Sequence, residues 1–243
     1  MLGLPDSVRA CLFDLDGVLT RTATVHFAAW KRTFDEFLRE RAPGLPEFTQ
    51  LDYNRYVDGR PRADGVRGFL ESRGIHLPEG SPGDPWEAGT VQAIATRKND
   101  AVLRELEEHG VEVYPGSVRY LHAVKEAGLA TAVVTASANG EQVIKAGSFA
   151  ELIDHRVDGI VAAREGLRGK PHPDTFLAGA RALGVAPAQA AVFEDALSGV
   201  EAGRAGAFGF VVGVDRVGQA DQLKEHGADV VVQDLAELLE ERK

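Results

Sequence analysis

Ala10-Cys11-Leu12-Phe13 is an unbroken apolar run of strand length that stops abruptly at Asp14. A run without polar alternation has no face fit for water. A strand made from it must be covered on both sides, as in parallel sheets sandwiched by helices. Similar short runs recur at Ala130–Val134, 157–161, 191–193, 208–212 and 229–232, each ending in small or polar residues. Helical periods separate the later ones. Phe176, Leu177, Ala180 and Leu183 recur at about 3.6 residues, as do Val118, Leu121, Val124 and Lys125, with Gly128 placed as a C′ stop. This alternation predicts an α/β fold with a Rossmann-like, mainly parallel sheet and right-handed crossovers. Such sheets bind ligands beyond the carboxyl ends of their strands.

The segment from residue 23 to residue 109 reads differently. Its helical stretches span 25–41, 65–73 and 90–109, with Pro- and Gly-rich breaks at 43–46 and 77–85, and no convincing strand. The sheet pattern resumes after Tyr114-Pro115-Gly116. The expected organisation is an α/β core made of residues 1–22 and 110–243, with a helical cap inserted at 23–109. A chain of 243 residues, 44% hydrophobic and 26% charged, can bury a core of that kind.

The formal net charge is −10. Such a surface repels nucleic acid and anionic membranes, so neither is an expected partner, and a phosphate site would need local cations. The lone cysteine, Cys11, lies in the first apolar run and reads as a small core residue. Without a second cysteine no internal disulfide forms, which suits a reducing compartment. Residues 1–9 lack a charged region followed by an apolar stretch, and no apolar run is long enough to span a bilayer. A cytoplasmic monomer is expected.

Four clusters carry potential chemistry. In Asp14-Leu15-Asp16-Gly17 two carboxylates follow a buried strand, and at i and i+2 in extended backbone they share a face. One can act as nucleophile and metal ligand while the other moves a proton. A calcium loop is excluded, because the ligand positions counted from Asp14 fall on Val18 and Val25. The plainer alternative is an acidic turn. Thr135-Ala136-Ser137-Ala138-Asn139 ends the second apolar run with hydroxyls suited to phosphate oxygens, although Ser137 or Asn139 equally suits a helix N-cap. Lys170-Pro171 fixes a lysine on a turn, as a phosphate ligand or as an ordinary exposed cation. Glu194-Asp195 places two acids after another apolar run, as Mg²⁺ ligands or as an acidic helix start.

Taken singly these are weak. Taken in order on one parallel sheet, they form the set needed to move a phosphoryl group through an aspartyl-phosphate. Asp14 attacks, Asp16 protonates the leaving oxygen, and Lys170 with a metal held by acids neutralises the phosphate. The Walker P-loop and kinase signatures are absent.

The four clusters resemble those of the haloacid dehalogenase superfamily of phosphotransferases over the whole chain, and in particular its β-phosphoglucomutase-like branch. The tract from Asp14 through Thr20, continued by Thr22, His26, Trp30 and Lys31, carries that likeness, together with Gly59-Arg60-Pro61-Arg62. The resemblance implies Asp14 as nucleophile and Asp16 as general acid and base. It implies Mg²⁺ surrounded by Asp14, the Asp16 carbonyl, Glu194 and Asp195. Thr135, Ala136 and Lys170 would hold the transferring phosphate, and Ser137 and Asn139 would touch the second phosphate or the sugar. Gly59 and Arg62 would contact substrate, with Arg62 anchoring the non-transferring phosphate. Thr22 lies in the substrate region, and His26 would couple cap closure to the chemistry. The implied partners are a sugar phosphate and a sugar bisphosphate, in a mutase reaction or, alternatively, a phosphatase reaction. Arg21, Asp58 and Ala138 depart from the branch's usual residues and bear on the sugar rather than on the reaction type.

Overall fold

The computed structural model describes residues 2–239. The first apolar run forms β1 (Ala10–Phe13), all four residues buried. The chain then enters α1 (Thr22–Arg41), α2 (Gln50–Asp52) with a π-helical turn at Tyr53–Val57, α3 (Arg62–Ser72) and α4 (Val91–His109). It continues through α5 (Pro115–Glu126), β2 (Ala130–Val134), α6 (Gly140–Ala146), β3 (His155–Val157), α7 (Gly159–Glu165) and α8 (Asp174–Ala182). Next come β4 (Ala190–Glu194), α9 (Leu197–Ala205), β5 (Phe210–Val214), α10 (Ala220–Glu225) and β6 (Val230–Val232). Two compact units result, residues 1–21 with 111–243, and residues 22–110.

The first unit is an α/β sandwich around one six-stranded sheet in the order β3-β2-β1-β4-β5-β6. Every strand pair is parallel. Period-2 alternation sends Ala10 and Leu12 into one apolar layer with Phe176, Val192 and Val200. Phe13 faces the other layer, stacked on Phe193 at 4.4 Å and edge-on to Tyr120 at 6.4 Å. Cys11 is buried, and burial pushes its thiol far above the usual range, as befits an inert core residue.

One strand expectation is corrected. The apolar run at 157–161 contributes only Val157 to β3, and Gly159 opens α7 instead. Asp158 is the reason. Its carboxylate accepts the N–H groups of Ile160 and Val161 at 3.0 and 2.9 Å, a helix N-cap that turns the chain out of the sheet. A short apolar run does not distinguish strand from helix by pattern alone.

The second unit is helical, with no strand among its residues. Its core is aromatic. Trp30 stacks on Phe34 at 4.9 Å, Phe34 lies 4.3 Å from Phe69, and Phe48 meets Phe69 edge-on at 4.9 Å. Trp30 is thus a core residue. No helix among the described residues is long and apolar enough to cross a membrane.

Candidate active site

Strand register assembles the acidic centre. Phe13 pairs with Val133 on one side and Phe193 on the other. The next residues, Asp14, Val134 and Glu194, therefore leave the sheet at one level, followed by Thr135 and Asp195. β1 is the switch point: the chain runs to β2 and β3 on one side and returns to β4 on the other. The Asp14 N–H donates to the Phe193 carbonyl at 2.9 Å, which fixes where its side chain departs. Gly17 turns the following loop with φ = +95°, and a Cβ there would overlap the Asp195 carboxylate. The glycine is required both by the turn and by the closeness of the acid.

Lys170 enters from the loop before α8. Its Nζ donates to Asp14 Oδ1 at 2.5 Å and to the Val134 carbonyl at 3.2 Å, and pairs with Glu194 Oε1. All three charged groups are buried. Burial alone would lower the lysine's pKa, but Asp14 and Glu194 outweigh it and hold the ammonium above its usual range. Burial pushes the Asp14 carboxyl well above the usual carboxylate range. Lys170 pulls it back, and the negative charges of Glu194 and Asp16 push it further up. One ammonium does not balance this cluster.

That imbalance tests the fit of a metal. One oxygen from each of Asp14, Glu194 and Asp195, all buried, lies within 4.8 Å of the others. Three hard oxygen donors with surplus negative charge suit a divalent cation such as Mg²⁺. The residues present therefore fit the group.

The second loop is organised by hydroxyls. Thr135 Oγ1 donates to Asp16 Oδ2 at 3.2 Å and accepts the Ser137 N–H at 3.0 Å. Ser137 Oγ accepts the Asn139 N–H at 3.2 Å, and the Ser137 carbonyl accepts the Gly159 N–H at 2.9 Å. Asn139 is the N-cap of α6 by position but makes no side-chain cap bond. The first unit thus brings Asp14, Asp16, Thr135, Lys170, Glu194 and Asp195 together, with Ala136, Ser137 and Asn139 on the adjoining loop.

Thr22, His26, Gly59 and Arg62 all belong to the helical unit. Thr22 opens α1, and His26 lies one turn on, its Nδ1 2.9 Å from Lys98 Nζ on α4. Gly59 turns the chain ahead of α3 with φ = +70°. Arg62, the first residue of α3, donates from Nη1 to the Ala95 carbonyl of α4 at 3.2 Å. His26 and Arg62 therefore converge on one turn of α4, residues 95–98. Burial lowers the Arg62 pKa from its usual value, against the attraction of Asp100.

Lys98 was not singled out by sequence reasoning. It is 4% exposed, with Nζ 5.0 Å from the Trp30 ring centre. A signal existed. Val91, Ile94, Ala95, Ala101 and Val102 line the buried face of α4, and Lys98 occupies that face where an apolar residue is the rule.

Comparison with known proteins identifies the family. The pattern of the haloacid dehalogenase-like hydrolases matches residues 8–206. A β-phosphoglucomutase of Mycobacterium bovis is 55% identical over 247 residues, covering 98% of this chain and 94% of that protein. Hexitol phosphatase A of Escherichia coli is 29% identical, covering 93% and 91%. A crystal structure of β-phosphoglucomutase from Clostridium difficile superimposes with a TM-score of 0.77 at 26% identity, covering 96% and 93%. An acidic cluster at the ends of β1 and β4, a lysine that bridges it and a match over most of the chain have one reading: this protein belongs to the haloacid dehalogenase-like hydrolase family.

Proposed function

We propose that this protein is a Mg²⁺-dependent β-phosphoglucomutase that converts β-glucose 1-phosphate to glucose 6-phosphate through phosphorylated Asp14 and a glucose bisphosphate. The observation that carries the reaction type is the buried cluster of Asp14, Lys170, Glu194 and Asp195. The near full-length identity to a β-phosphoglucomutase supports the substrate.

In the first half-reaction, Asp16 takes the proton from the sugar's 6-hydroxyl as that oxygen attacks phosphorus on Asp14. The aspartyl P–O bond breaks and the bisphosphate forms. In the second, the Asp14 carboxylate attacks the 1-phosphoryl group, and Asp16 returns the proton to the departing sugar oxygen. Thr135 holds the Asp16 carboxylate in place through its hydroxyl. Lys170 stays cationic beside Asp14 and draws off charge from the transferring oxygens. A bound Mg²⁺, held by Asp14, the Asp16 carbonyl, Glu194 and Asp195, would supply further charge neutralisation there. The Thr135 and Ala136 backbone cradles the same phosphate, Ser137 and Asn139 take sugar or second-phosphate oxygens, and Arg62 anchors the phosphate that does not transfer. Thr22, His26 and Gly59 complete the substrate contacts.

The second reading is a sugar-phosphate phosphatase, in which water takes the phosphoryl group from Asp14. The likeness to hexitol phosphatase A favours it. One assay separates the two. The protein is given β-glucose 1-phosphate, Mg²⁺ and trace glucose 1,6-bisphosphate, and glucose 6-phosphate is followed against free phosphate. Free phosphate without isomerised sugar overturns the mutase reading.

A further inference from the structure

The turn after β5, residues 215–219, supplies no candidate ligand or nucleophile, yet it grips both acidic loops. Asp215 stiffens it, because its Oδ1 accepts the N–H groups of Val217, Gly218 and Gln219 at 3.2, 2.7 and 2.9 Å. Two side chains leave this turn toward the site. Arg216 donates from Nε to the Gly17 carbonyl at 2.8 Å and from Nη2 to the Val18 carbonyl at 3.4 Å. Gln219 donates from Nε2 to the Asp195 carbonyl at 2.9 Å in a buried bond. Gly17 in turn lies against the Asp195 carboxylate so closely that no side chain fits between them. The four residues close a ring: Asp195 against Gly17, Gly17 held by Arg216, Arg216 joined to Gln219 along one rigid turn, and Gln219 back to Asp195.

Arg216 is itself held from two further sides. Its guanidinium stacks on Tyr114, 3.5 Å from the ring centre, and its Nη1 donates to the Gln233 carbonyl at 2.5 Å. The Tyr114 N–H donates to the Leu19 carbonyl at 3.0 Å, on the same catalytic loop. A planar, forked cation is suited to this place, where it serves several carbonyls and a ring face at once.

We propose that Arg216 and Gln219 are positioning residues that fix the separation between the Asp14–Asp16 loop and Asp195. Neither touches the reacting atoms. With the Gly17, Val18 and Asp195 carbonyls anchored to one turn, neither acidic loop can shift without breaking a hydrogen bond. Displacements of about 1 Å in such a site are enough to cost roughly 100-fold in rate. The catalytic consequence rests on the phosphoryl-transfer reading, whereas the consequence for metal binding does not require turnover.

The test compares Arg216→Met, Arg216→Lys and Gln219→Leu with Arg204→Met. Arg204 makes comparable bonds, to the Gly227 carbonyl and Asp229, outside the catalytic cluster. Two quantities are read: kcat and KM for glucose 6-phosphate formation, and the Mg²⁺ concentration giving half of the Mg²⁺-induced rise in melting temperature without substrate. For Arg216→Met and Gln219→Leu, kcat is expected to fall about 10- to 100-fold with KM nearly unchanged. The half-saturating Mg²⁺ concentration is expected to rise in both, and Arg216→Lys is expected to recover part of each loss. Arg204→Met is expected to lower the melting temperature while leaving both readouts alone. Should Arg216→Met and Gln219→Leu behave like Arg204→Met, the proposal is overturned. If either fails to fold, Arg216→Lys decides: unchanged kcat and unchanged half-saturating Mg²⁺ overturn the proposal. If the unmodified protein makes no glucose 6-phosphate, the mutase reading fails by itself, and the Mg²⁺ titration still decides for or against the ring.

Discussion

Lys170 Nζ lies 2.5 Å from Asp14 Oδ1 while also serving Glu194 and the Val134 carbonyl, so one buried ammonium links the ends of β1, β2 and β4. It offsets part of the charge of Asp14 and Glu194 and ties three strand ends together. Removing it leaves two buried carboxylates facing each other.

Lys170→Met is therefore expected to fail in two ways. Turnover should drop by about 10²–10³, the cost of losing one preorganised donor to transition-state charge. Metal-free stability should fall by about 3–5 kcal/mol, because breaking a buried pair leaves uncompensated charge. Denaturant unfolding with and without Mg²⁺ checks the second point, since added Mg²⁺ should restore part of the loss. Unchanged stability in the absence of Mg²⁺ would show that Asp14 and Glu194 are not charged together.

Asp16→Asn separates proton transfer from nucleophilic attack. The amide keeps the volume and can still meet the Thr135 hydroxyl, but it cannot exchange a proton with a sugar oxygen. Transfer to or from a sugar hydroxyl should slow by about 10²–10⁴. Phosphorylation of Asp14 by p-nitrophenyl phosphate should suffer far less, because that leaving group departs without a proton. Single-turnover measurements with both donors check this, and equal losses would remove Asp16 from the acid–base role.

The clusters at the strand ends were legible because each apolar run stops sharply at a polar residue, and parallel sheets bring such ends together. Asp14, Thr135 and Asp195 could thus be picked out before any geometry was known. Three features were less legible. Arg216 and Gln219 act on backbone carbonyls, which every residue carries, so no side-chain pattern marks their partners. Lys98 interrupts an apolar helical face, but a lone lysine there reads as a surface residue until its burial is seen. The run at 157–161 carries strand-like composition, and only the Asp158 cap turns it into a helix.

Arg62→Ala tests whether the helical unit handles a second phosphate. Arg62 is half-buried and donates to the Ala95 carbonyl, so its charge is kept in place at some cost in desolvation. A lost charge-assisted hydrogen bond of about 1.5–3 kcal/mol corresponds to roughly a 10- to 100-fold fall in kcat/KM for β-glucose 1-phosphate. A small aryl phosphate has no second phosphate, and its hydrolysis should hardly change. Parallel losses on both substrates would assign Arg62 to folding.

Asp52 offers a pH-dependent test of the helical unit alone. Its Oδ2 accepts the Thr49 N–H at 3.0 Å, the Thr49 hydroxyl at 2.8 Å and Arg73 Nη2 at 2.9 Å. Burial by itself would raise its pKa, but these bonds outweigh it and hold the carboxyl below the usual range. A group depressed on folding contributes stability that is present above its unfolded value, about 3.9, and is lost as pH falls through the folded value. Asp52→Ala should thus cost about 2 kcal/mol near neutral pH, the scale of hydrogen bonds to a charged group. The deficit should shrink as pH is taken below about 4, because the unmodified protein then loses the same interaction. Asp52→Asn keeps an acceptor for the Thr49 N–H but not the charge, so its deficit at neutral pH should be smaller. Thermal melts from neutral to strongly acidic pH check both variants. A deficit for Asp52→Ala that stays constant across that range would show that the helix cap, and not the carboxylate charge, is what Arg73 and Thr49 depend on.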